Sequence, residues 1–414
     1  MDAIRVPLDL NGFEVIDSEV VNGRLEVEVR SARAPACHHC GSLDVASHQR
    51  ILRRIRDRAC GYPTMLLWHQ RRFRCRDCRR TCRERHPQVA GRRSVSKRFR
   101  KYLFERAVRE PFAQVAATER VSFYRVVEAF DAHACDELAG SRQCFPRVIN
   151  LDESAFRRMF RYHTVFSDPE RGVVFELVED RSQAAAELGF SLMSPSMRAA
   201  IESVVVDCFP PYRRAAEKWV PGARVVLDKF HALRMIDDCA HRVRTRASRK
   251  RATNLPNNRS GGQFDRRVRR LRWSFSKRAH TLGEDERTKL FAMFELYPEI
   301  GVAWLLKEEF ACIYEAHDRE EGERRLETWK NHVVVSGIGE FIHSWRRTLG
   351  AWQEQILNYF DDRVTNAFAE GITNKVKVIK RSAYGFRNPM RYRSKVLLAC
   401  GHRRLREVNH RSSR

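Results

Sequence analysis

The sequence contains no long apolar run and has too few acidic residues to balance its basic ones. No stretch approaches the roughly 18 consecutive apolar residues that a membrane-spanning helix needs. Residues 1–6 include Asp2 and lack the apolar core of a secretory signal. These absences predict a protein with no membrane partner and a cytoplasmic location. The 52 acidic side chains are outnumbered by 78 basic ones, which leaves a net charge of +26.

A basic excess of this size predicts a polyanionic partner, because Lys and Arg release counterions from phosphate groups. The basic residues are spread through segments with folded patterns, which favours nucleic acid over a membrane surface. We therefore expect association with the nucleoid. The 414 residues are enough for two to four domains of about 100–200 residues each. A hydrophobic content of 43% is typical of a globular protein.

Four of the 12 cysteines form two Cys-x-x-Cys pairs, Cys37 with Cys40 and Cys75 with Cys78. Two such turns supply four thiolates for a tetrahedral, structural Zn²⁺. The pattern predicts a zinc ribbon over residues 1–92. A redox function would instead need one pair within a thioredoxin-like pattern. Four further residues near these pairs are interpreted as bystanders and not as ligands: Cys82, His38, His39 and His86.

Residues predicted to bind DNA follow in two adjoining segments. Around the second cysteine pair, Arg71, Arg72 and Arg74 are predicted to face phosphate groups. Residues 93–142 then have helical periodicity with start signals at Ser94 or Ser96, at Pro111 and at Ser122. This pattern predicts a helix-turn-helix that places Ser122 and Arg125 near the bases of the major groove. A plain helical linker is the alternative.

Three apolar, β-branched runs each end in an aspartate, namely Asp152, Asp207 and Asp228. Two further strands, at 162–166 and 172–178, complete an antiparallel meander with the first run. In an open α/β sheet, functional side chains collect at the carboxyl ends of strands. Carboxylates gathered there would bind two Mg²⁺ (or Mn²⁺) ions, which support phosphodiester chemistry. The alternative for each aspartate is a helix N-cap after its strand.

An amphipathic helix near the end of the chain supplies a glutamate. Residues 366–377 have helical periodicity and place Glu370, Asn374 and Lys377 on one face. Lys380 and Arg381 follow and are suited to a DNA backbone beside the site. The long middle segment, residues 235–355, is helical and basic, with tryptophans predicted to pack mainly in its core.

The chain resembles the ISL3 family of bacterial insertion-sequence transposases over nearly its whole length. The most specific match is the closing run from Lys380 to Asn388. The other matching strings are Leu151-Asp152-Glu153, Glu179-Asp180-Arg181, Val206-Asp207 with Tyr212, Asp228-Lys229-Phe230-His231 and Glu370-Gly371-Ile372. The resemblance implies a ribonuclease-H-like core with an Asp-Asp-Glu triad. By position, Asp152 is the first carboxylate and Glu370 is the third.

The second carboxylate of the implied triad has two candidates. Asp207 is favoured, because it follows the strand that comes after the meander. Asp228 with His231 resembles the auxiliary Asp-x-x-His element of related transposases. Thr373 stands where the family often has Asn, which leaves an amide contact from that position in doubt. Glu153 is expected to point away from Asp152, because successive side chains of a strand alternate.

Together these features predict an α/β multidomain protein. A zinc ribbon and a helix-turn-helix precede a ribonuclease-H-like mixed sheet (146–234), an all-helical insertion (235–355) and a second core segment with the glutamate helix (356–414). The predicted function is that of a DDE transposase. It would act as a homo-oligomer on double-stranded DNA, both terminal inverted repeats and target. The alternatives are a non-catalytic DNA-binding regulator, a ribonuclease-H-like nuclease and a basic scaffold protein.

Overall fold

A computed structural model describes residues 11–89, 94–139, 145–157, 161–253, 266–363 and 367–402. The chain divides into two compact units, residues 1–140 with Ser382–Tyr384, and residues 141–381 with 385–414. Each unit contains a five-stranded sheet with both parallel and antiparallel neighbours. The predicted mixture of strands and helices is therefore confirmed. No helix within the described ranges is long and apolar enough to cross a membrane.

The N-terminal unit begins with a sheet in the order β1-β2-β4-β3, with β5 paired to β4. The strands are β1 (Phe13–Val21), β2 (Arg24–Ser31), β3 (Val45–Cys60), β4 (Tyr62–Cys75) and β5 (Thr81–Arg83). The apolar side chains of β2, β3 and β4 form a small core around Trp68. Cys37 and Cys40 lie in the link between β2 and β3, and Cys75 and Cys78 lie at the turn between β4 and β5.

Three helices complete the N-terminal unit: α1 (Lys97–Arg109), α2 (Phe112–Glu119) and α3 (Phe123–Ala139). They lie where the sequence predicts helices. Ser96 is the residue that caps α1, because its Oγ accepts from the backbone N–H of Phe99 at 3.1 Å. The turn between α2 and α3 is closed by Arg120, which has φ 51°. The Ser122 hydroxyl then accepts from the N–H of Arg125 at 3.3 Å at the start of α3.

A buried carboxylate joins the sheet to the helices of this unit. Asp57 on β3 is completely buried. It accepts a hydrogen bond of 2.5 Å from the Ser96 hydroxyl and forms an ion pair with Arg98 of α1. A buried carboxylate needs such partners to offset its desolvation. The five-stranded sheet and the three helices are therefore parts of one packed unit.

The C-terminal unit is built on a sheet in the order β10-β9-β6-β7-β8. The strands are β6 (Val148–Arg157), β7 (Arg161–Asp168), β8 (Val173–Glu179), β9 (Ser203–Val206) and β10 (Arg224–Leu227). The predicted meander is β6, β7 and β8, whose neighbours are antiparallel, whereas β6, β9 and β10 run parallel. The prediction that the first strand ends at Asp152 is wrong. Strand β6 continues to Arg157 because it stays paired with β7 beyond the end of β9.

Helices cover this sheet and form the long middle segment. Between the strands lie α4 (Gln183–Ser191), α5 (Pro195–Ala199) and α6 (Pro210–Trp219). The middle segment contains α7 (Lys229–Thr253), α8 (Arg266–Arg270), α9 (Arg272–Ser276), α10 (Glu284–Leu296), α11 (Pro298–Ile313), α12 (Arg319–Ser336), α13 (Gly339–Arg347), α14 (Gln353–Leu357) and α15 (Tyr359–Asp362). The final helices are α16 (Ala367–Ser382) and α17 (Pro389–Leu397). The predicted loop at 254–262 lies outside the described residues.

One continuous hydrophobic core runs from the sheet into the middle helices. It joins Val204 and Val226 of the strands to Ala240 of α7 and Phe310 of α11. Trp329 is buried in it, and its indole N–H donates to the Leu306 carbonyl at 2.8 Å. The middle helices therefore brace the strands that carry the acidic residues, in agreement with the prediction that most of these tryptophans pack in a core.

Candidate functional site

The three predicted aspartates lie at the same edge of the C-terminal sheet. Val206 of β9 is in register with Leu151 of β6 and with Leu227 of β10. The next residue along each of these three neighbouring parallel strands is an aspartate, namely Asp152 after Leu151, Asp207 after Val206 and Asp228 after Leu227. Because adjacent strands are about 4.8 Å apart, Asp207 stands between the other two. The register thus brings together residues that are 76 positions apart in the sequence.

Asp207 is buried and has one carboxylate oxygen without a protein partner. Only 8% of the residue is exposed, and its Oδ1 has no hydrogen-bond partner among the described residues. Its Oδ2 lies 3.7 Å from Nη2 of Arg181. Burial raises the pKa of Asp207 to about 6, and the nearby Glu153 and Asp152 act in the same direction. A buried oxygen with no donor beside it suits a hard cation such as Mg²⁺.

Asp228, in contrast, uses both carboxylate oxygens within the protein. Its Oδ1 accepts from the backbone N–H of Phe230 at 3.2 Å, at the start of α7. Its Oδ2 lies 2.5 Å from Nδ1 of His231. This contact is the main cause of the raised pKa of His231. Asp228 therefore caps a helix and orients an imidazole, whereas Asp207 keeps one carboxylate oxygen without a partner among the described residues.

Helix α16 lies against Asp152. The Thr373 hydroxyl donates to Oδ2 of Asp152 at 2.7 Å, across 221 positions of sequence. The other oxygen, Oδ1, accepts from the backbone N–H of Glu153 at 2.7 Å. Glu370 precedes Thr373 by three residues in the same helix, so the two positions share a helical face. The side chain of Glu370 itself lies outside the described part of the chain.

Glu153 and Arg181 form a second contact at this edge. The Arg181 guanidinium pairs with Oε2 of Glu153 and also lies beside Asp207. It stacks over the Phe209 ring, 4.4 Å from its centroid. Glu153 was expected to point away from the site, but Arg181 links it to Asp207. In the sequence, Arg181 was named only within the string Glu179-Asp180-Arg181 that resembles the family, and no role at the site was predicted for it.

The described residues include two clusters of side chains that could bind a metal ion. In each cluster, the potential ligand atoms of three or more residues lie within 4.8 Å of one another. Neither cluster includes the carboxylates of the sheet edge. Those carboxylates are close enough for their charges to interact, as the causes of the raised pKa of Asp207 indicate. A tight cation site at this edge would therefore require Glu370 or a shift of side chains as the ion binds.

The first of the two clusters contains the four predicted zinc ligands, Cys37, Cys40, Cys75 and Cys78. The sulfur atoms of Cys37 and Cys78 are 3.6 Å apart, and those of Cys40 and Cys75 are 3.5 Å apart. Four sulfurs bound tetrahedrally at about 2.3 Å from Zn²⁺ would be separated by about 3.8 Å. Backbone N–H groups of Cys40 and His39 lower the pKa of the Cys37 thiol to about 6. The tetrad thus has the spacing that Zn²⁺ requires, and the Cys37 thiol favours the thiolate, whereas neighbouring sulfurs and burial raise the pKa of the Cys40 and Cys78 thiols.

Basic side chains of the N-terminal unit line a cleft of about 440 Å³. Its arginines come from the start of β2, from β3 and from the helical segment, and no acidic residue lines it within the described ranges. They are Arg24, Arg54, Arg56, Arg120 and Arg125. Ser122 also lines the cleft, and Arg125 donates to Ser94 at 3.1 Å. The two helical residues predicted to bind DNA, Ser122 and Arg125, therefore share a basic surface with the strands.

The other predicted DNA-binding residues differ in how free their side chains are. Arg71 forms an ion pair with the buried Glu84, so its charge is already neutralised within the protein. Lys380 donates to the Ala155 carbonyl at 2.5 Å and so fastens α16 to β6. The remaining residues of this set are at least partly exposed: Arg72, Arg74, Asn374, Lys377 and Arg381.

Comparisons with known proteins give a consistent result. Residues 149–396 match the family model for ISL3-type DDE transposases, which is described as "Transposase". The transposase for insertion sequence element IS1001 of Bordetella parapertussis is 22% identical over 359 residues, which cover 86% of this chain and 87% of that protein. The transposase for insertion sequence element IS1557 of Mycobacterium tuberculosis is 24% identical over 272 residues, 62% of this chain and 61% of that protein.

Proposed function

Since this chain belongs to the ISL3 family of DDE transposases, we propose that it moves an insertion sequence by metal-dependent cleavage and joining of DNA strands. The matched region contains every acidic residue of the candidate site. The observation that carries the catalytic part of the proposal is the convergence of Asp152, Asp207 and helix α16 at one sheet edge. The mixed sheet is assigned as the ribonuclease-H-like core that the family resemblance implies.

Asp152, Asp207 and Glu370 are the proposed ligands of two Mg²⁺ ions. When bound, such a pair activates a water or a 3′-hydroxyl and stabilises the leaving oxygen of a phosphodiester. Asp207 offers its unpartnered Oδ1. Asp152 is held in place by Thr373 and by the N–H of Glu153, and each of its oxygens keeps a second lone pair for a cation. Asp228 orients His231 beside Asp207.

The N-terminal unit is proposed to bind the terminal inverted repeats. The zinc ribbon fixes the strands, and Ser122 and Arg125 at the start of α3 would reach base edges in the major groove. The arginines of the cleft would hold the phosphate backbone beside it. Transposition joins two element ends, so we expect at least a dimer on DNA. The residues of α16 that follow Glu370, notably Asn374 and Lys377, would contact the DNA at the catalytic edge.

A strand-transfer assay tests this proposal. The full-length protein would be mixed with labelled duplexes of the element's ends, a plasmid target and Mg²⁺ or Mn²⁺. We expect joined products with the wild type. Asp152→Asn and Asp207→Asn should abolish joining while binding the end duplexes as tightly as the wild type does. Asp228→Asn should reduce joining without abolishing it, because its proposed part is to orient His231.

Other outcomes separate the alternative functions. End binding without metal-dependent cleavage would identify a non-catalytic regulator. Cleavage without joined products would identify a nuclease. Full loss of joining in Asp228→Asn together with activity in Asp207→Asn would make Asp228 the second carboxylate. Joining that survives Asp152→Asn would overturn the proposed site.

A further inference from the structure

A second group of metal-binding side chains lies beside the cysteine tetrad. The ligand atoms of His38, His39 and Cys82 all lie within 4.8 Å of one another. Cys82 is only 1% exposed, and its sulfur lies 3.6 Å from that of Cys37. Both histidines are exposed. From the sequence, all three were interpreted as bystanders and not as ligands.

Local structure explains why these residues meet. The turn at the first cysteine pair is closed by a hydrogen bond of 2.8 Å from the Gly41 N–H to the Cys37 carbonyl, and Gly41 has φ 79°. His38 and His39 occupy the two positions within this turn, between the cysteines. Strand β5 pairs with β4 in the register Phe73 to Cys82. This pairing holds the Cys82 sulfur against the start of the turn, at Cys37.

A buried cysteine is most often a small apolar side chain, and Cys82 does pack with Phe73. Packing alone does not require two imidazole nitrogens to lie within 4.8 Å of the Cys82 sulfur, nor that sulfur to contact Cys37. The separation of 3.6 Å between the Cys37 and Cys82 sulfurs is close to the roughly 3.8 Å expected for two thiolates on one tetrahedral Zn²⁺. The same spacing occurs within the tetrad itself, between Cys37 and Cys78.

We propose that His38, His39 and Cys82 bind a second Zn²⁺, with the Cys37 thiolate shared between the two ions. This inference rests on the zinc site proposed for the four cysteines. Two imidazole nitrogens and two thiolates are a common ligand set for structural zinc. The electrostatics are also favourable, because a Zn²⁺ ion surrounded by four thiolates is a net negative centre that attracts another cation. The shared sulfur would link the two metal centres and so hold the turn, β4 and β5 together.

Metal stoichiometry tests the second site directly. The full-length protein, purified without a histidine tag, would be analysed by native mass spectrometry and by elemental analysis of zinc. We expect two zinc ions per chain in the wild type. Cys82→Ser and the double variant His38→Ala/His39→Ala should each contain one. Because both histidines are exposed, the double variant keeps the test informative even if Cys82→Ser misfolds.

Matched controls and release kinetics complete the experiment. Cys60→Ser and His48→Ala remove a thiol and an imidazole elsewhere in the same unit, and both should keep two ions. With a chromogenic chelator, the wild type should release zinc in two phases. The variants of the second site should lack one of these phases and keep the other.

Three results would overturn the second site. The first is one zinc ion per chain in the wild type and also in Cys82→Ser. This result would exclude the second site and agree with the four-cysteine site. The second is complete loss of zinc in Cys82→Ser, which would make Cys82 a ligand of a single centre. The third is a Cys37–Cys82 disulfide detected by mass in the freshly purified protein. A wild type without zinc would contradict the four-cysteine site as well.

Discussion

The Thr373 hydroxyl donates a hydrogen bond of 2.7 Å to Oδ2 of Asp152, and this contact joins helix α16 to β6 of the C-terminal sheet. It is the one described side-chain contact that places the turn of α16 bearing Glu370 next to an acidic residue of the sheet edge. Hydrogen bonds to charged groups contribute about 1.5–3 kcal/mol. Thr373 is therefore a positioning residue for Asp152.

Replacing Thr373 with valine should slow strand transfer roughly 10- to 100-fold, which is the rate equivalent of that energy. Valine keeps the shape of the side chain and removes the donor. The Mg²⁺ concentration needed for half-maximal rate should rise, because Asp152 would no longer be held in place. Thr373→Ser retains the hydroxyl and should behave like the wild type. An unchanged metal dependence in Thr373→Val would show that the contact does not position the ligand.

The burial of Asp207 predicts how stability depends on pH in magnesium-free buffer. Its pKa is raised to about 6, whereas the ordinary value is 3.8. Between these values the folded protein keeps a proton that the unfolded chain releases, so the free energy of unfolding falls as pH rises from about 4 to 6. The loss attributable to Asp207 should approach 2–3 kcal/mol above pH 6, at about 1.4 kcal/mol per pH unit.

Urea denaturation followed by tryptophan fluorescence would measure this effect in the wild type and in Asp207→Asn. The variant should lose less stability over this range, and added Mg²⁺ should restore stability to the wild type alone. Asp285→Asn removes an exposed carboxylate from α10 and serves as the control. Parallel pH profiles for the wild type and Asp207→Asn would contradict the prediction.

Loss of the cysteine tetrad should unfold the N-terminal unit. Cys75→Ser removes a completely buried proposed ligand from the end of β4, and binding of structural zinc contributes on the order of 10–16 kcal/mol to the folding of small zinc modules. We expect reduced zinc content, rapid proteolysis before residue 140 and loss of binding to the end duplexes. Cys60→Ser, at the turn between β3 and β4, should change none of these. Wild-type zinc content in Cys75→Ser would exclude the four-cysteine site.

The arginine cleft predicts a specific salt dependence of DNA binding. Arg24→Ala and Arg54→Ala should each weaken binding to all duplexes alike. Each should also make the decrease of log affinity with log salt concentration shallower, by about 1 in slope. Arg125→Ala should additionally reduce the preference for the element's own ends, because Arg125 lies at the start of α3, the proposed recognition helix. Arg30→Ala is the matched control, since Arg30 lies on β2 outside the cleft and pairs with Glu14. Equal slopes in all these variants would show that the cleft does not bind phosphate.

Several site features were predictable from local pattern. The two Cys-x-x-Cys pairs and the three apolar runs before Asp152, Asp207 and Asp228 are short-range signals, and each run lies in a strand. The extent of β6 was not predictable, because it depends on pairing with β7 beyond the reach of β9. The contacts of Arg181 with Glu153 and Asp207 likewise depend on the bend of the chain after β8.

The sequence by itself determined which chemical groups are available to the protein: the thiols, the aspartates after apolar strands and the basic excess, which favours a polyanionic partner. These follow from periodicity and side-chain chemistry, which act over a few residues. Only the tertiary structure decided which groups meet. Strand register set Asp152, Asp207 and Asp228 side by side, the docking of α16 brought Thr373 to Asp152, and the pairing of β5 brought Cys82 to Cys37. Such contacts join residues that are tens to hundreds of positions apart, and they are fixed by how whole elements pack, which no short window of sequence contains.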